Sequence, residues 1–179
     1  DNPLAIDHAV RRILLLHSII LSIGGIPLLY LGDEWATVND YRYMTDEAQA
    51  NDSRWVHRPQ FDWAGVALAQ AQETIQGRVF QGLQRLVNRR QQLPALANGR
   101  TVFVETGNSH VLGYTRHDQI LVLVNFSEHE QLVTGGISAD IERWLSDGQD
   151  LITRQNIIKN DALVLTPYQV VWLMSGSDY

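Results

Sequence analysis

The stretch Gly25-Ile-Pro-Leu-Leu-Tyr-Leu-Gly-Asp-Glu34 constrains this chain more than any other. Its apolar residues run on without alternation, the pattern of a strand buried on both faces of a parallel sheet. Pro27 stands at the entry, where a missing N–H costs no ladder bond. The predicted strand is therefore Leu28 to Leu31. It ends on Gly32 and two carboxylates, Asp33 and Glu34, and a long irregular segment follows. A buried strand whose C-terminal end opens into a long polar loop is how an α/β barrel assembles a site.

The flanking sequence fits that reading. Leu16, Ile19, Ile20 and Ile23 recur at helical spacing, so Ala5 to Ile23 is predicted as a helix, capped or favoured in its first turn by Asp7 and stopped by Gly24-Gly25. Ile13 to Leu31 carries no formal charge over 19 residues and imitates a membrane span. Gly24, Gly25 and Pro27 interrupt it, and His17, Ser18 and Ser22 dilute it, so a helix followed by a strand is the better description. Gly32 to Trp63 is a loop dense in carboxylates, arginines and aromatic rings. Loops this long are functional or disordered, and aromatic density argues against disorder. Gln72 to Gln92 is predicted as a second helix, with Ile75, Val79, Leu83, Leu86 and Val87 on one side and Pro94 blocking continuation. Arg78, Arg85, Arg89 and Arg90 read as a solvated face with cations near the helix C-terminus.

Beyond Leu96 short strands replace helices: Thr101–Glu105, Val111–Arg116, Ile120–Asn125, Gln131–Thr134, Ala162–Leu165 and Gln169–Met174. Turns are predicted at Gly107-Asn108, His117-Asp118, Gly135-Gly136, Asp147-Gly148 and Asn160-Asp161. This spacing implies an antiparallel sandwich. The boundary between the two textures falls between Pro94 and Gly99, giving an α/β part over residues 1–97 and an all-β part over 98–179. No internal repeat is evident.

Bulk properties exclude several classes of function. A net charge of −6 argues against a nucleic-acid partner, which would need a cationic surface. There is no cysteine, hence no disulfide framework and no thiolate metal site, which fits a reducing cytoplasm. No metal or cofactor motif is found, neither HExxH nor a P-loop, GxGxxG or EF-hand, and no nucleophile elbow. The chain opens on Asp1 without a basic start or an initiator methionine, which is read as a start inside a longer protein.

Three sets of residues could carry chemistry. Asp33 and Glu34 lie where a barrel keeps its site, but with no convergent partner they read as acceptors of loop N–H groups. Arg54 and Arg58 lie among Asp52, Trp55, His57 and Trp63. An arginine fork locked to an acid can hold sugar hydroxyls, and aromatic rings suit the apolar side of a sugar. The alternative is a loop pinned by surface ion pairs of little worth, and residue types alone favour neither. His57 suits proton transfer by type but reads as a hydrogen-bonded loop residue. In the β half, Trp172 is predicted to be core, since Tyr168, Val170 and Trp172 alternate with Gln169 and Val171.

Ser22 to Glu34, together with Asn51-Asp-Ser-Arg-Trp-Val-His-Arg-Pro59, resembles the α-amylase superfamily of glycoside hydrolases, and within it the branch of amylosucrases and sucrose hydrolases. Leu83 to Pro94, Asn125-Phe-Ser127 and Leu165 to Leu173 extend the resemblance over nearly the whole chain. It implies the last βα unit of a (β/α)₈ barrel, with strand eight and its loop, followed by a C-terminal antiparallel β-sandwich domain. It implies a parent enzyme that cleaves sucrose with retention and passes glucose to an α-1,4-glucan or to water. The two carboxylates which that chemistry needs come, in the family, from strands outside this sequence. No catalytic residue is therefore assigned here, and the chain alone is expected to be inactive. Arg54 matches the arginine that pairs with an upstream aspartate, absent from this sequence, to close the floor of the sucrose pocket. Arg58 shares the motif without an assigned sugar contact. Sucrose and α-glucan are the implied partners, and the exposed apolar surfaces of a part-barrel imply self-association. A sucrose phosphorylase, an isomaltulose-type mutase, an α-glucosidase and a non-catalytic carbohydrate-binding β module are the alternatives. The last would need a row of exposed aromatics, whereas alternation buries those of the β half.

Overall fold

The computed structural model describes residues 2–134, 139–142, 144, 149–159 and 162–174. The chain divides into two compact units, one of residues 1–28 with 83–179, the other of residues 29–82. Among the described residues no helix is long and apolar enough to cross a membrane.

The first unit begins with α1 (Pro3–Ser22). Asn2, not Asp7, caps it: its side chain accepts from the Leu4 N–H at 3.1 Å, and Pro3 takes the first helical position, where a missing N–H is harmless. Asp7 sits inside the helix and pairs with Arg11 one turn on, at 2.7 Å. The helix gives way to Gly24 and Gly25 at φ 116° and 75°, a region glycine enters without a Cβ clash. A Cβ on Gly24 would lie 3.1 Å from the Arg116 guanidinium.

The strands are β1 (Thr101–Val104), β2 (Val111–Arg116), β3 (Ile120–Asn125), β4 (Gln131–Thr134), β5 (Ile158–Lys159), β6 (Ala162–Leu165) and β7 (Val170–Met174). They form two antiparallel sheets, of order β1-β2-β3-β7 and β4-β6-β5. Leu121, Leu123, Val171 and Leu173 from the first sheet meet Val133, Leu163 and Leu165 from the second, with Trp144 and Ile157, in one buried core. Tyr114, Val122 and Trp172 are in register on the opposite face of the first sheet and are buried as well. The cover there is α1: Ser22 Oγ lies 2.6 Å from the Tyr114 hydroxyl, and His8 meets Tyr168 edge-on at 5.2 Å. With both faces covered, β3 is buried along its whole length, and Val171 is as buried as Trp172. The β-half aromatics are not all buried, however. Phe103, on the edge strand β1, and Phe126, just past the end of β3, are exposed.

Two polar side chains tie this unit together. The buried Asp150 carboxylate accepts from the backbone N–H groups of Ile152, Thr153 and Trp172 at 3.0–3.1 Å and from the Thr153 hydroxyl at 2.7 Å. Burial still outweighs these bonds and pushes its carboxyl above the usual range. Asn125 Nδ2 donates to the carbonyls of His129, Leu165 and Thr166 at 2.8–3.2 Å, while its Oδ1 accepts from Ser127.

Residues 28–31 depart from expectation: they form no strand. Ile26 is 99% exposed and Leu28 75%. A parallel strand needs ladder partners, and among the described residues no strand lies beside it.

Helix α2 (Ile75–Gln92) starts three residues later than expected and buries Val79, Leu83 and Leu86, while Ile75 is exposed. Pro94 ends it and opens the short α3 (Pro94–Ala97), an element the sequence reading missed. Arg90 is not part of a solvated face. Its guanidinium donates to the carbonyls of Leu21, Leu96 and Gly25. The buried Arg116 donates to Thr101, Leu96 and Asn98. The short β5 and the single turn α4 (Ala139–Glu142) were also unpredicted. The expected turns at 135–136, 147–148 and 160–161 lie outside the described residues.

Candidate functional site

The unit of residues 29–82 holds the long loop. Apart from the start of α2 it contains only short turns of 3₁₀ helix, at Asp33–Trp35, Tyr41–Thr45, Ser53–His57 and Ala64–Gln70. Asp33 Oδ2 accepts from the Tyr30 N–H at 3.3 Å and Glu34 Oε2 from the Gly32 N–H at 2.8 Å. Both carboxylates thus close the turn that follows the apolar run. Trp35 stacks on Phe80 at 5.1 Å with rings 3° from parallel, and Phe61 meets Trp35 and Trp63 edge-on. This cluster gives the unit its apolar centre.

Arg54 and Asp52 form a bidentate pair. Asp52 caps the turn Ser53–His57 and accepts the Arg54 backbone N–H at 3.0 Å. Arg54 Nε and Nη2 then reach the two carboxylate oxygens at 2.8 Å each. The Arg54 guanidinium holds the Asp52 carboxyl down to about 2. Arg54 is 73% exposed and Asp52 31%, so the pair adds little to stability. What it does is fix a planar fork at the surface. Arg58 points elsewhere, with its guanidinium 5.7 Å over the Trp55 ring. His57 Nδ1 lies 3.1 Å from Asn39 Oδ1, a loop contact.

The structure shows a relation that the sequence reading missed. Asn39-Asp-Tyr-Arg-Tyr43 and Asn51-Asp-Ser-Arg-Trp55 are two copies of one local design. Asp40 caps the turn Tyr41–Thr45, accepts the Arg42 N–H at 2.9 Å, and binds Arg42 Nε and Nη2 at 2.9 and 2.6 Å. Its carboxyl also falls to about 2, chiefly through the Arg42 side chain. The Asp40 N–H donates to the Val56 carbonyl at 2.9 Å, which sets one turn against the other. The recurring Asn-Asp-x-Arg-aromatic string was the available signal. It is too short to stand out as a repeat until both copies adopt the same geometry.

Asp40 and Arg42 border two hollows. One, of about 410 Å³, also touches Trp35, Asn39, Pro59 and Gln76. The other, of about 310 Å³, is lined by Tyr43, Asp46, Gln49, Trp55, Arg58 and Gln60 as well. Arg54 lines neither. Among the described residues no group of three or more histidine or acidic side chains could hold a metal ion.

The fold of this chain matches parts of several larger solved structures. MutB, a trehalulose synthase from Pseudomonas mesoacidophila, matches at TM-score 0.60 and 18% identity, over 92% of this chain and 38% of its own. A MutB variant in complex with the substrate sucrose matches at 0.61 and 19%, over 90% and 38%. A maltogenic amylase from S. marinus matches at 0.61 and 17%, over 92% and 19%. In sequence the chain is similar to a glucosylglycerate phosphorylase from Escherichia coli, 25% identical over 172 residues. That match covers 93% of this chain, which spans 29% of the relative's length. No family model matches.

Proposed function

We propose that this chain forms the C-terminal part of a retaining, sucrose-acting α-glucosyl transferase or hydrolase of the amylosucrase type. In this reading residues 1–97 complete a (β/α)₈ barrel as its last βα unit, and residues 98–179 are the β domain behind it. The run Leu28 to Leu31 becomes a strand when barrel neighbours are supplied on both sides. The reactive acids, about 5–5.5 Å apart in retaining enzymes, come from the rest of the barrel. Sucrose binds with its glucosyl ring against Arg54.

The observation that carries this reading is the planar Arg54 fork, held in place by Asp52 within Asp-Ser-Arg-Trp-Val-His-Arg-Pro59. A pre-set guanidinium loses little entropy on meeting hydroxyls and fixes the depth of a pocket. The test is to give sucrose to the enzyme that contains this chain. Fructose release with an iodine-staining glucan or with glucose supports the reading, and no fructose release ends it. Arg54→Ala should lower kcat/KM for sucrose by on the order of 100-fold through misplaced substrate.

Phosphorolysis is a second reading, favoured by the similarity to the phosphorylase. Glucose 1-phosphate formed only when inorganic phosphate is present would select it.

A further inference from the structure

The Asp40–Arg42 clamp repeats the geometry of Asp52–Arg54 at a place to which the proposed function gives no role. It stands at the rim of the 310 Å³ hollow, a volume at the lower end of the ~300–1,000 Å³ usual for small-molecule sites. Two rings, Tyr43 and Trp55, supply apolar faces, with Arg58 over the Trp55 ring. The lining also carries two carboxylates and two guanidiniums, so its formal charges cancel. Neither a phosphate nor a cation would gain a net attraction there.

The hydrogen-bonding capacity left over is of both kinds. Arg42 spends Nε and Nη2 on Asp40, and among the described residues its Nη1 has no partner. Asp46 Oδ1 accepts the Ala48 N–H at 2.9 Å, and among the described residues its second oxygen accepts nothing. Gln49 and Gln60 add amide donors and acceptors. A neutral ligand bearing adjacent hydroxyls satisfies donors and acceptors together, and its apolar ring face suits Tyr43 and Trp55.

We infer that the hollow between the two turns is a second carbohydrate subsite, in which Arg42 and Asp46 bond the hydroxyls of one glucosyl ring of an α-glucan and Tyr43 and Trp55 pack against it. The choice of α-glucan rests on the proposed function, while the neutral polyhydroxyl chemistry rests on the lining alone. Arg42 thus does for the glucan what Arg54 does for sucrose.

The test is titration of the 179-residue chain with maltohexaose, followed by amide and indole NMR. Shifts confined to Arg42, Tyr43, Asp46, Gln49, Trp55 and Gln60 are expected. Arg42→Gln and Asp46→Asn should each weaken binding about tenfold, the loss of one charged hydrogen bond. Asp46→Asn keeps a carbonyl oxygen for the Ala48 N–H, so it decides the matter if Arg42→Gln disturbs the turn. No maltohexaose binding by the folded chain, or unchanged affinity in Asp46→Asn, overturns the subsite, as does preferential binding of inorganic phosphate. Sucrose turnover by the containing enzyme is scored separately. Glucan binding without turnover leaves the subsite standing and ends the functional reading, and turnover without glucan binding does the reverse.

Discussion

The two units reach order by opposite routes. Around β3 every position is buried, and the polar groups Asp150 and Asn125 are drawn inside with several hydrogen bonds each. The unit of residues 29–82 has a small aromatic cluster and otherwise a sequence of turns, two of them closed by a carboxylate two residues from its arginine. Burial makes the first arrangement costly to alter. Local, solvated pairs make the second cheap to alter, and recognition surfaces need that freedom.

Four measurements would sharpen or break this contrast. The largest effect is expected at Trp172, fully buried between sheet and helix. Trp172→Ala should lower the unfolding free energy by about 3–5 kcal/mol in urea titration. A loss below about 1 kcal/mol would mean that α1 does not cover that face. Next, Asp150→Asn removes acceptors from buried N–H groups and should cost about 2–3 kcal/mol by the same assay.

The third concerns pH. Burial pushes the Tyr114 hydroxyl up to about 12, above the ~10 of an unfolded tyrosine. The native state therefore holds this proton more tightly. The contribution is complete below pH 10 and is lost as the pH rises through 12, by up to about 3 kcal/mol. Tyr114→Phe should flatten the stability profile between pH 10 and 12, and an unchanged profile would refute the assignment. The smallest effect belongs to the other unit. Asp52→Asn and Asp40→Asn should leave the unfolding midpoint unmoved, while carboxyl NMR of the unaltered chain should show both acids titrating near pH 2. Titration near 4 would show that the clamps open in solution.

Much of the β half was legible in sequence. Val111–Arg116, Ile120–Asn125 and Gln131–Thr134 are strands over the predicted residues, because turn residues bound β-branched runs. The two short elements β5 and α4 were not, since neither is long enough for a period to register. The run Leu28 to Leu31 reads as a strand because composition reports what a segment prefers to bury, not whether a neighbour is present to pair with it. Arg90 and Arg116 were opaque for a related reason. Residue type suggests solvent, but helix ends and a chain crossing present carbonyls that need donors. Of the candidate site, Arg54 was visible through its motif. Arg42 was not, since its role emerges only when two turns are compared in three dimensions.

The carbonyl of Leu96 receives hydrogen bonds from both Arg90 and Arg116, with distances of 2.9 and 3.4 Å. One oxygen is therefore the knot at which α2 and the first hairpin are fastened to α3. Replacements of the two arginines should be epistatic, because once one strap is cut the other holds less. Descendants of this sequence would be expected to keep or lose the pair as a unit.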